Sequence, residues 1–152
     1  MFRNEYEKLL SPTDYEPIAE GCYEILEYVC GLLENGADAS SLRPGDERVA
    51  YHSHCQQRTL GLGTYTTTIL ERLGYDVKTS AVDCCGMAGS FGYKREYYEL
   101  SMEVGERLQA QFTTPDTRDR LAVASGTSCH EQLDVLLEQR PMHPVQLVDP
   151  SK

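Results

Sequence analysis

The clearest chemical feature of this sequence is a pair of adjacent cysteines, Cys84 and Cys85, followed by glycines at a spacing of three, Gly86, Gly89 and Gly92. A disulfide between neighbouring cysteines strains the peptide, and a folded core gains little from two adjacent thiols. Glycines permit a positive φ angle and a close approach of the backbone to a bulky group. The stretch therefore predicts a loop that holds a metal centre or an anionic cofactor.

Two further cysteines, Cys55 and Cys129, follow predicted strands in the same way as the pair Cys84 and Cys85. The spacing between the three positions is in each case about one strand–helix unit. In an open parallel sheet the carboxyl ends of the strands share one edge, and such folds bind their ligands there. Four thiols from three loops are therefore predicted to meet in a single crevice.

Convergent thiolates suit a 4Fe–4S cluster or a zinc ion, because without a bound cation their mutual repulsion favours the protonated thiols. The predicted metal ligands are Cys55, Cys84, Cys85 and Cys129, and the predicted cofactor-binding residues are Gly86, Gly89 and His54. Backbone N–H groups of the glycine loop are expected to face cluster sulfides, which raises the reduction potential. Two alternatives stay open: His54 or His130 completes a site with three cysteines, or the cysteines are ordinary core residues.

The elements that must position these residues are strands alternating with helices. Strands are predicted over Arg48–His52, Tyr75–Val82 and Leu121–Ser125, and helices over Thr64–Leu73, Tyr93–Gln111 and Glu131–Gln139. This alternation indicates a single α/β domain over residues 1–152, with a mainly parallel sheet and Rossmann-like layers. The metal crevice is expected at the carboxyl ends of the strands.

Buried side chains are predicted for two helices, and two further elements are expected near the ends of the chain. A helix over Tyr15–Glu34 is predicted to carry Cys22 and Cys30 on its apolar face as small core residues. The helix over Tyr93–Gln111 is predicted to bury Tyr97, Leu100, Val104 and Leu108. Phe2–Leu10 is predicted as a short helix, and Pro141–Val148 as a strand or short helix.

Composition excludes several classes of partner. The formal net charge of −10 and the pI near 4.8 argue against nucleic acid and anionic membrane surfaces. The sequence has no apolar run long enough for a transmembrane segment, and its start lacks the apolar region of a signal peptide. We therefore expect a cytoplasmic protein, peripheral at the inner face of the membrane where partners hold it there. In a reducing compartment, six cysteines indicate metal ligands or redox groups rather than disulfides.

The order Cys55, then Cys84-Cys85-Gly86, then Cys129 resembles the cysteine-rich CCG domain family. That family includes proteins of heterodisulfide reductase, the iron–sulfur subunit of glycolate oxidase and the small subunit of anaerobic glycerol-3-phosphate dehydrogenase. The resemblance is closest to the C-terminal iron–sulfur region of FAD-linked D-lactate and 2-hydroxyacid dehydrogenases. It is carried by His52 to Cys55, Cys84 to Gly92 and Ser125 to Cys129, and covers roughly residues 1–148.

The resemblance implies an iron–sulfur component of an oxidoreductase, which relays electrons from flavin to a quinone or another carrier and is not catalytically complete alone. The FAD would then lie on a partner dehydrogenase domain or subunit. Family members usually carry two such halves, and this chain resembles the last one, so Met1 is expected to lie within a longer chain. The family pattern ends in CxxC, and Gly126 replaces its first cysteine, which favours a simpler centre over a paired cluster. Two alternatives are a zinc-stabilised docking domain and thiol–disulfide chemistry like that of heterodisulfide reductase.

Overall fold

The structure, a computed structural model, describes Arg3 and residues 5–151. In this part of the chain three strands form one parallel sheet in the order β2-β1-β3. The strands are β1 (Arg48–His52), β2 (Asp76–Thr79) and β3 (Leu121–Ala124). β1 is central, and its Val49 pairs with Val77 on one side and Leu121 on the other. The predicted α/β fold with a parallel sheet is confirmed.

Helices connect the strands, as parallel neighbours require a crossover between them. They are α1 (Pro12–Glu20), α2 (Ile25–Glu34), α3 (Cys55–Thr59), α4 (Gly63–Arg72), α5 (Tyr98–Phe112), α6 (Thr127–Leu137) and α7 (Pro144–Val148). Helices α3 and α4 lie between β1 and β2, α5 lies between β2 and β3, and α6 follows β3. Each strand therefore delivers a loop to the same edge of the sheet, where α/β folds bind ligands.

The two faces of the sheet bury different side chains, because successive strand residues point to opposite sides. One face packs against α2, α4 and α7 through Val49, Tyr51 and Val123. The other face presents three alanines, Ala50, Ala122 and Ala124. Cys85 and Cys129 belong to the core on this second face, together with residues of α5 and α6. The small alanine side chains leave room for the cysteine-bearing loops to approach the sheet.

The single helix predicted over Tyr15–Glu34 is wrong, because α1 ends at Glu20 and a new helix, α2, begins at Ile25. The Glu24 carboxylate accepts hydrogen bonds from the N–H groups of Leu26 and Glu27, at 2.9 and 3.2 Å. The Glu27 carboxylate in turn accepts from the Glu24 N–H at 3.0 Å. This capping box satisfies the free N–H groups at the start of α2 and makes a second helix favourable there.

The two cysteines of the predicted helix have separate environments. Cys22 lies half-buried in the connection between α1 and α2, so its predicted place on a helix face is wrong. Cys30 is only 6% exposed and packs in the core on the α2 side of the sheet, which confirms it as a core residue. That side is opposite to the one occupied by Cys85 and Cys129.

The helix predicted over Tyr93–Gln111 also differs from the structure. Two 3₁₀ turns, Phe91–Tyr93 and Arg95–Tyr97, precede α5, and the predicted buried side is wrong at three of its four positions. Tyr97, Leu100 and Val104 are exposed, whereas the buried residues of α5 are Ser101, Gly105, Leu108 and Phe112. Ser101 and Gly105 are small, so the loop at Gly86 and the Gln132 side chain of α6 can approach the backbone of α5. Close packing at Ser101 and Gly105, together with the burial of Leu108 and Phe112, selects this face.

The remaining differences concern the ends of elements. The predicted helix over Phe2–Leu10 is a 3₁₀ turn at Tyr6–Lys8, and its positions 2 and 4 lie outside the described residues. β2 ends at Thr79, earlier than predicted. The C-terminal segment combines both predicted states, because Met142 bridges to Val123 in parallel before α7 begins. Among the described residues, each helix is too short or too polar to cross a lipid bilayer.

His52, the last residue of β1, is completely buried. Its Nδ1 atom is hydrogen-bonded to the Ser80 hydroxyl at 2.7 Å, and its Nε2 atom has no partner among the described residues. Burial lowers the pKa of His52 from 6.5 to about 4, with the nearby Arg58 as a smaller cause. The ring is therefore neutral in the folded protein at pH 7, and its protonation favours unfolding.

We expect the metal-free chain to lose stability as the pH falls from 6.5 to 4, since the unfolded chain then binds a proton that folded His52 does not. His52 alone corresponds to about 3 kcal/mol across this window. Burial also lowers the pKa of His54 and His143, which adds to the same trend. Urea unfolding at several pH values measures the slope, and a His52→Asn chain should show a shallower one. Equal slopes in the two chains would contradict the assignment.

Candidate metal centre

All four cysteines predicted as ligands line one cleft at the carboxyl edge of the sheet. The cleft has a volume of ≈ 450 Å³, and its cysteines are Cys55, Cys84, Cys85 and Cys129. Cys55 is the first residue of α3, the pair lies in the loop after β2, and Cys129 lies in the first turn of α6. Cys22 and Cys30 do not line the cleft. The structure thus brings together the thiols that the sequence placed at the ends of three strands.

The four thiols differ in depth. Cys85 and Cys129 are buried, Cys84 is half-buried, and Cys55 is exposed at the mouth of the cleft. The Cys129 thiol donates a hydrogen bond to the Cys85 sulfur, which lowers the pKa of Cys85 to about 6 against the opposing effect of burial. The same bond, followed by burial, raises the pKa of Cys129. The two buried thiols therefore favour one shared proton, and a cation that replaces this proton would hold both as thiolates.

Backbone N–H groups of the Cys84–Ala88 loop point at the cysteine sulfurs. The Gly86 N–H donates to the Cys84 sulfur at 3.4 Å. Hydrogen bonds from the backbone of Met87 and Ala88 also lower the pKa of Cys85. Ala88 adopts a positive φ of 43°, which turns this part of the loop toward the sulfurs. Such N–H groups stabilise the negative charge of thiolates, and of any metal centre that the thiolates hold.

The predicted cofactor-binding glycines have different surroundings. Gly89 has a φ of 70°, is exposed and lines the cleft, with no atom within 4 Å of the position that a Cβ would take. Gly86 has a φ of 101° and is buried, and a Cβ there would overlap the Ser101 carbonyl oxygen of α5. Gly86 thus faces the sulfur with its N–H and the helix with its Cα. Its loop conformation brings the cysteine pair against α5.

Cys55 is held by the cap of α3. His54 precedes the helix as its N-cap, and its Nδ1 atom accepts a hydrogen bond from the Gln57 N–H at 3.3 Å. The Thr59 hydroxyl donates to the Cys55 carbonyl oxygen at 2.9 Å. The His54 ring lines the cleft and is half-buried. The sequence predicted His54 as a cofactor-binding residue but did not show that its ring caps a helix.

A buried polar cluster ties the Cys55 loop to the Cys129 loop, and sequence reasoning missed it. The Gln57 side-chain oxygen accepts hydrogen bonds from the hydroxyls of Ser125, Tyr51 and Ser53, at 2.5, 2.7 and 2.9 Å. Ser125 also accepts from the His54 N–H at 3.4 Å. Ser125 belongs to one of the stretches that carry the family resemblance, and Gln57 follows Cys55 by two residues, so the available signal was a polar residue beside each cysteine loop.

Two histidines outside the cleft fix the turn that leads to Cys129. The His130 Nε2 atom donates to the Ala124 carbonyl oxygen at 2.6 Å. The His143 Nδ1 atom accepts from the Val145 N–H at 3.2 Å, and its ring is also hydrogen-bonded to the backbone of Ser125. The two rings stack with centroids 6.2 Å apart. His130, considered from the sequence as a ligand, thus bonds to the backbone instead.

His143 links α7 to the cysteine turn, and its removal should loosen both. We expect His143→Ala to lower the free energy of unfolding by about 2 kcal/mol, through loss of the helix cap and of the bond to Ser125. His143→Asn should cost about half as much, because asparagine caps helices but is too short to reach Ser125. Urea denaturation measures both. An alanine variant as stable as wild type would show that neither bond contributes.

The donor set of the cleft fits a soft metal centre, because thiolates bind zinc and iron–sulfur clusters. Charge repulsion from Cys55 and Cys84 raises the pKa of Cys129 further. The four sulfurs are therefore close enough to interact electrostatically. Among the described residues, no group of three or more His, Cys, Asp or Glu side chains is arranged to hold one metal ion. The thiols are instead distributed around the walls of the cleft.

The fold and the cleft define an α/β domain with a four-thiol crevice, and similar chains occur in dehydrogenases. The chain is 30% identical to D-2-hydroxyglutarate dehydrogenase of Pseudomonas putida, over 97% of its own length. It is 26% identical to one of the subunits of anaerobic glycerol-3-phosphate dehydrogenase of Escherichia coli K12, over 96% of its length. D-2-hydroxyglutarate dehydrogenase of the same strain is 31% identical over 95% of the chain.

These relatives are longer than the chain. It spans 14% of either D-2-hydroxyglutarate dehydrogenase and 36% of the glycerol-3-phosphate dehydrogenase subunit. No protein-family model and no solved structure matches the chain. The similarity therefore identifies dehydrogenases as relatives, in each of which the chain corresponds to only a part.

Proposed function

We propose that this chain is an iron–sulfur electron-transfer domain or subunit of a flavin-linked dehydrogenase that acts on a 2-hydroxyacid or a related alcohol. The observation that carries the proposal is the convergence of Cys55, Cys84, Cys85 and Cys129 on one cleft. The names of the relatives support the dehydrogenase part, since the matches described above are dehydrogenases or a dehydrogenase subunit. A bound 4Fe–4S cluster would supply one-electron transfer.

The shape of the cleft supports a centre with several metal ions. A cluster takes one thiolate for each iron, so its ligands stand apart around it. A single zinc ion instead needs its sulfur ligands at about 2.3 Å from one point. The four thiols lie around a cavity of ≈ 450 Å³, which leaves room for the larger guest. The loop N–H groups directed at Cys84 and Cys85 would stabilise its negative charge.

The chain is proposed to work with a partner. The relatives extend well beyond the region that they share with it, and a flavin-bearing domain or subunit would oxidise the substrate there. Electrons would then pass through the centre in the cleft to a quinone or another carrier. Cys55, exposed at the mouth, marks the side of the cleft at which the centre is nearest to solvent and to a docked partner.

The test is purification or reconstitution of the chain without oxygen, followed by iron, sulfide and zinc analysis and by electron paramagnetic resonance after reduction. The proposal expects a coloured protein with iron and sulfide in equal amounts and a signal from the reduced cluster. A colourless protein with stoichiometric zinc would overturn it in favour of the zinc-stabilised docking domain.

A second candidate, thiol–disulfide chemistry, is favoured by the contact between Cys85 and Cys129. Oxidation of these two thiols to a disulfide would release two electrons and two protons, which reduce a small organic disulfide to two thiols. The test incubates the metal-loaded chain with oxidised glutathione and maps any new bond by mass spectrometry. A bond between Cys85 and Cys129 would support exchange, and full protection by the bound metal would reject it.

A further inference from the structure

We propose that His54 is a hydrogen-bond donor to the metal centre of the cysteine cleft, not one of its ligands, and that Gly126 keeps open the space for its ring. The inference deepens the proposed function, because it assumes that the cleft holds a metal centre. It assigns His54 a direct contact with the sulfur atoms around the metal and leaves coordination to the four cysteines.

The first step concerns the proton on the His54 ring. The Nδ1 atom accepts the hydrogen bond from the Gln57 N–H, at 3.3 Å, which caps α3. A ring nitrogen that accepts a hydrogen bond carries no proton, so the neutral ring has its proton on Nε2. A protonated Nε2 donates a hydrogen bond and cannot bind a metal. Coordination through Nδ1 would break the cap.

The second step concerns the position of the ring. A Cβ at Gly126 would lie 2.8 Å from the His54 Cβ, 3.2 Å from its Cγ and 3.3 Å from the Cys129 sulfur. The ring therefore occupies the space beside Gly126, on the same side of the cleft as Cys129. A side chain at position 126 and the present position of the ring exclude each other. The glycine is thus required by the histidine that lies next to it.

The third step concerns charge. The residues that line the cleft, all of them described, include no lysine or arginine, and their ionisable groups are the four thiols and His54. Several thiolates with a bound centre carry negative charge, which an N–H donor stabilises without adding a ligand. Hydrogen bonds to the sulfurs of a cluster favour its reduced form, so His54 should raise the reduction potential.

The test uses two variants of the full chain that remove the donor in different ways. In His54→Asn the side-chain oxygen can still accept from Gln57, but the Nε2 donor is lost. In Gly126→Ala the histidine remains, but its ring is displaced. After iron–sulfur reconstitution, both variants should bind as much iron as wild type, shift the reduction potential downward and release iron to a chelator about tenfold faster. Unchanged potentials, or a loss of iron in His54→Asn with the fold intact, would overturn the inference.

A second measurement separates this inference from the proposed function. If the wild-type chain takes up zinc and no iron, the proposed function fails, and the role of His54 is then read from the zinc-loaded chain. Nitrogen-15 NMR of the imidazole should show Nε2 protonated and Nδ1 unprotonated. Replacement of zinc by Co²⁺ should give ligand-field absorption of a site with four sulfur ligands both in wild type and in His54→Asn. A metal-bound His54 nitrogen, or a change in the number of sulfur ligands in His54→Asn, would overturn the inference in either case.

Discussion

After reconstitution, the Cys129→Ser chain is expected to bind about tenfold less iron than wild type, or still less. Cys129 is buried, contacts the Cys85 sulfur and lines the cleft from the first turn of α6. Serine preserves the size of the side chain but is a poor ligand for soft metals. The measurements are iron and sulfide content and the charge-transfer absorption of the anaerobic protein.

The chain offers a matched control for this substitution. Cys30 is also buried, at 6% exposed, but it packs on the opposite face of the sheet and contacts Glu34 at 3.7 Å. Cys30→Ser therefore repeats the chemical change at similar burial and should leave iron binding unchanged. Equal loss in the two variants would indicate general destabilisation. Full iron content in Cys129→Ser would show that Cys129 is not a ligand.

The second large effect is expected for the substitution Gly86→Ala, which should lower the free energy of unfolding by about 4 kcal/mol. Gly86 has a φ of 101°, which side chains rarely adopt, and a Cβ would overlap the Ser101 carbonyl oxygen and lie 3.2 Å from the Gly105 nitrogen. Because these are backbone atoms of α5, relief requires the helix or the loop to move. Thermal or urea unfolding of the metal-free chain measures the loss.

Gly89→Ala is the control for the effect of a positive φ alone. Gly89 has a φ of 70°, and no atom lies within 4 Å of the position of its Cβ. The cost there should be the strain of the backbone, about 1 kcal/mol. Similar losses in the two variants would contradict the packing argument, since they would assign the whole effect at Gly86 to its φ angle.

Several features of the site could be predicted because they depend on local order in the sequence. Alternation of strands and helices gives a parallel sheet, and a cysteine directly after a strand must lie at its carboxyl edge. This rule was enough to bring Cys55 and Cys129 to the same cleft as the pair at 84 and 85. It required no knowledge of which side chains touch.

Other features escaped prediction because they depend on contacts between distant segments. The buried face of α5 is chosen by the loop at Gly86 and by Gln132 of α6, which need small residues opposite them. The periodic apolar residues Leu100 and Val104 predicted a different buried face, and both are exposed in the structure. In the same way, Gln57 acquires its role only when Ser125, remote in the sequence, delivers a hydroxyl to it.

The sequence by itself determined which thiols are gathered and at which edge of the sheet, because loops that follow parallel strands all lie at the carboxyl edge of the sheet. Only the tertiary structure decided that Cys129 contacts Cys85, that Gly86 packs against α5 while Gly89 lines the cleft, and that the His54 ring lies beside Gly126. These choices depend on the shapes of side chains that meet across the fold, and residue spacing does not encode them.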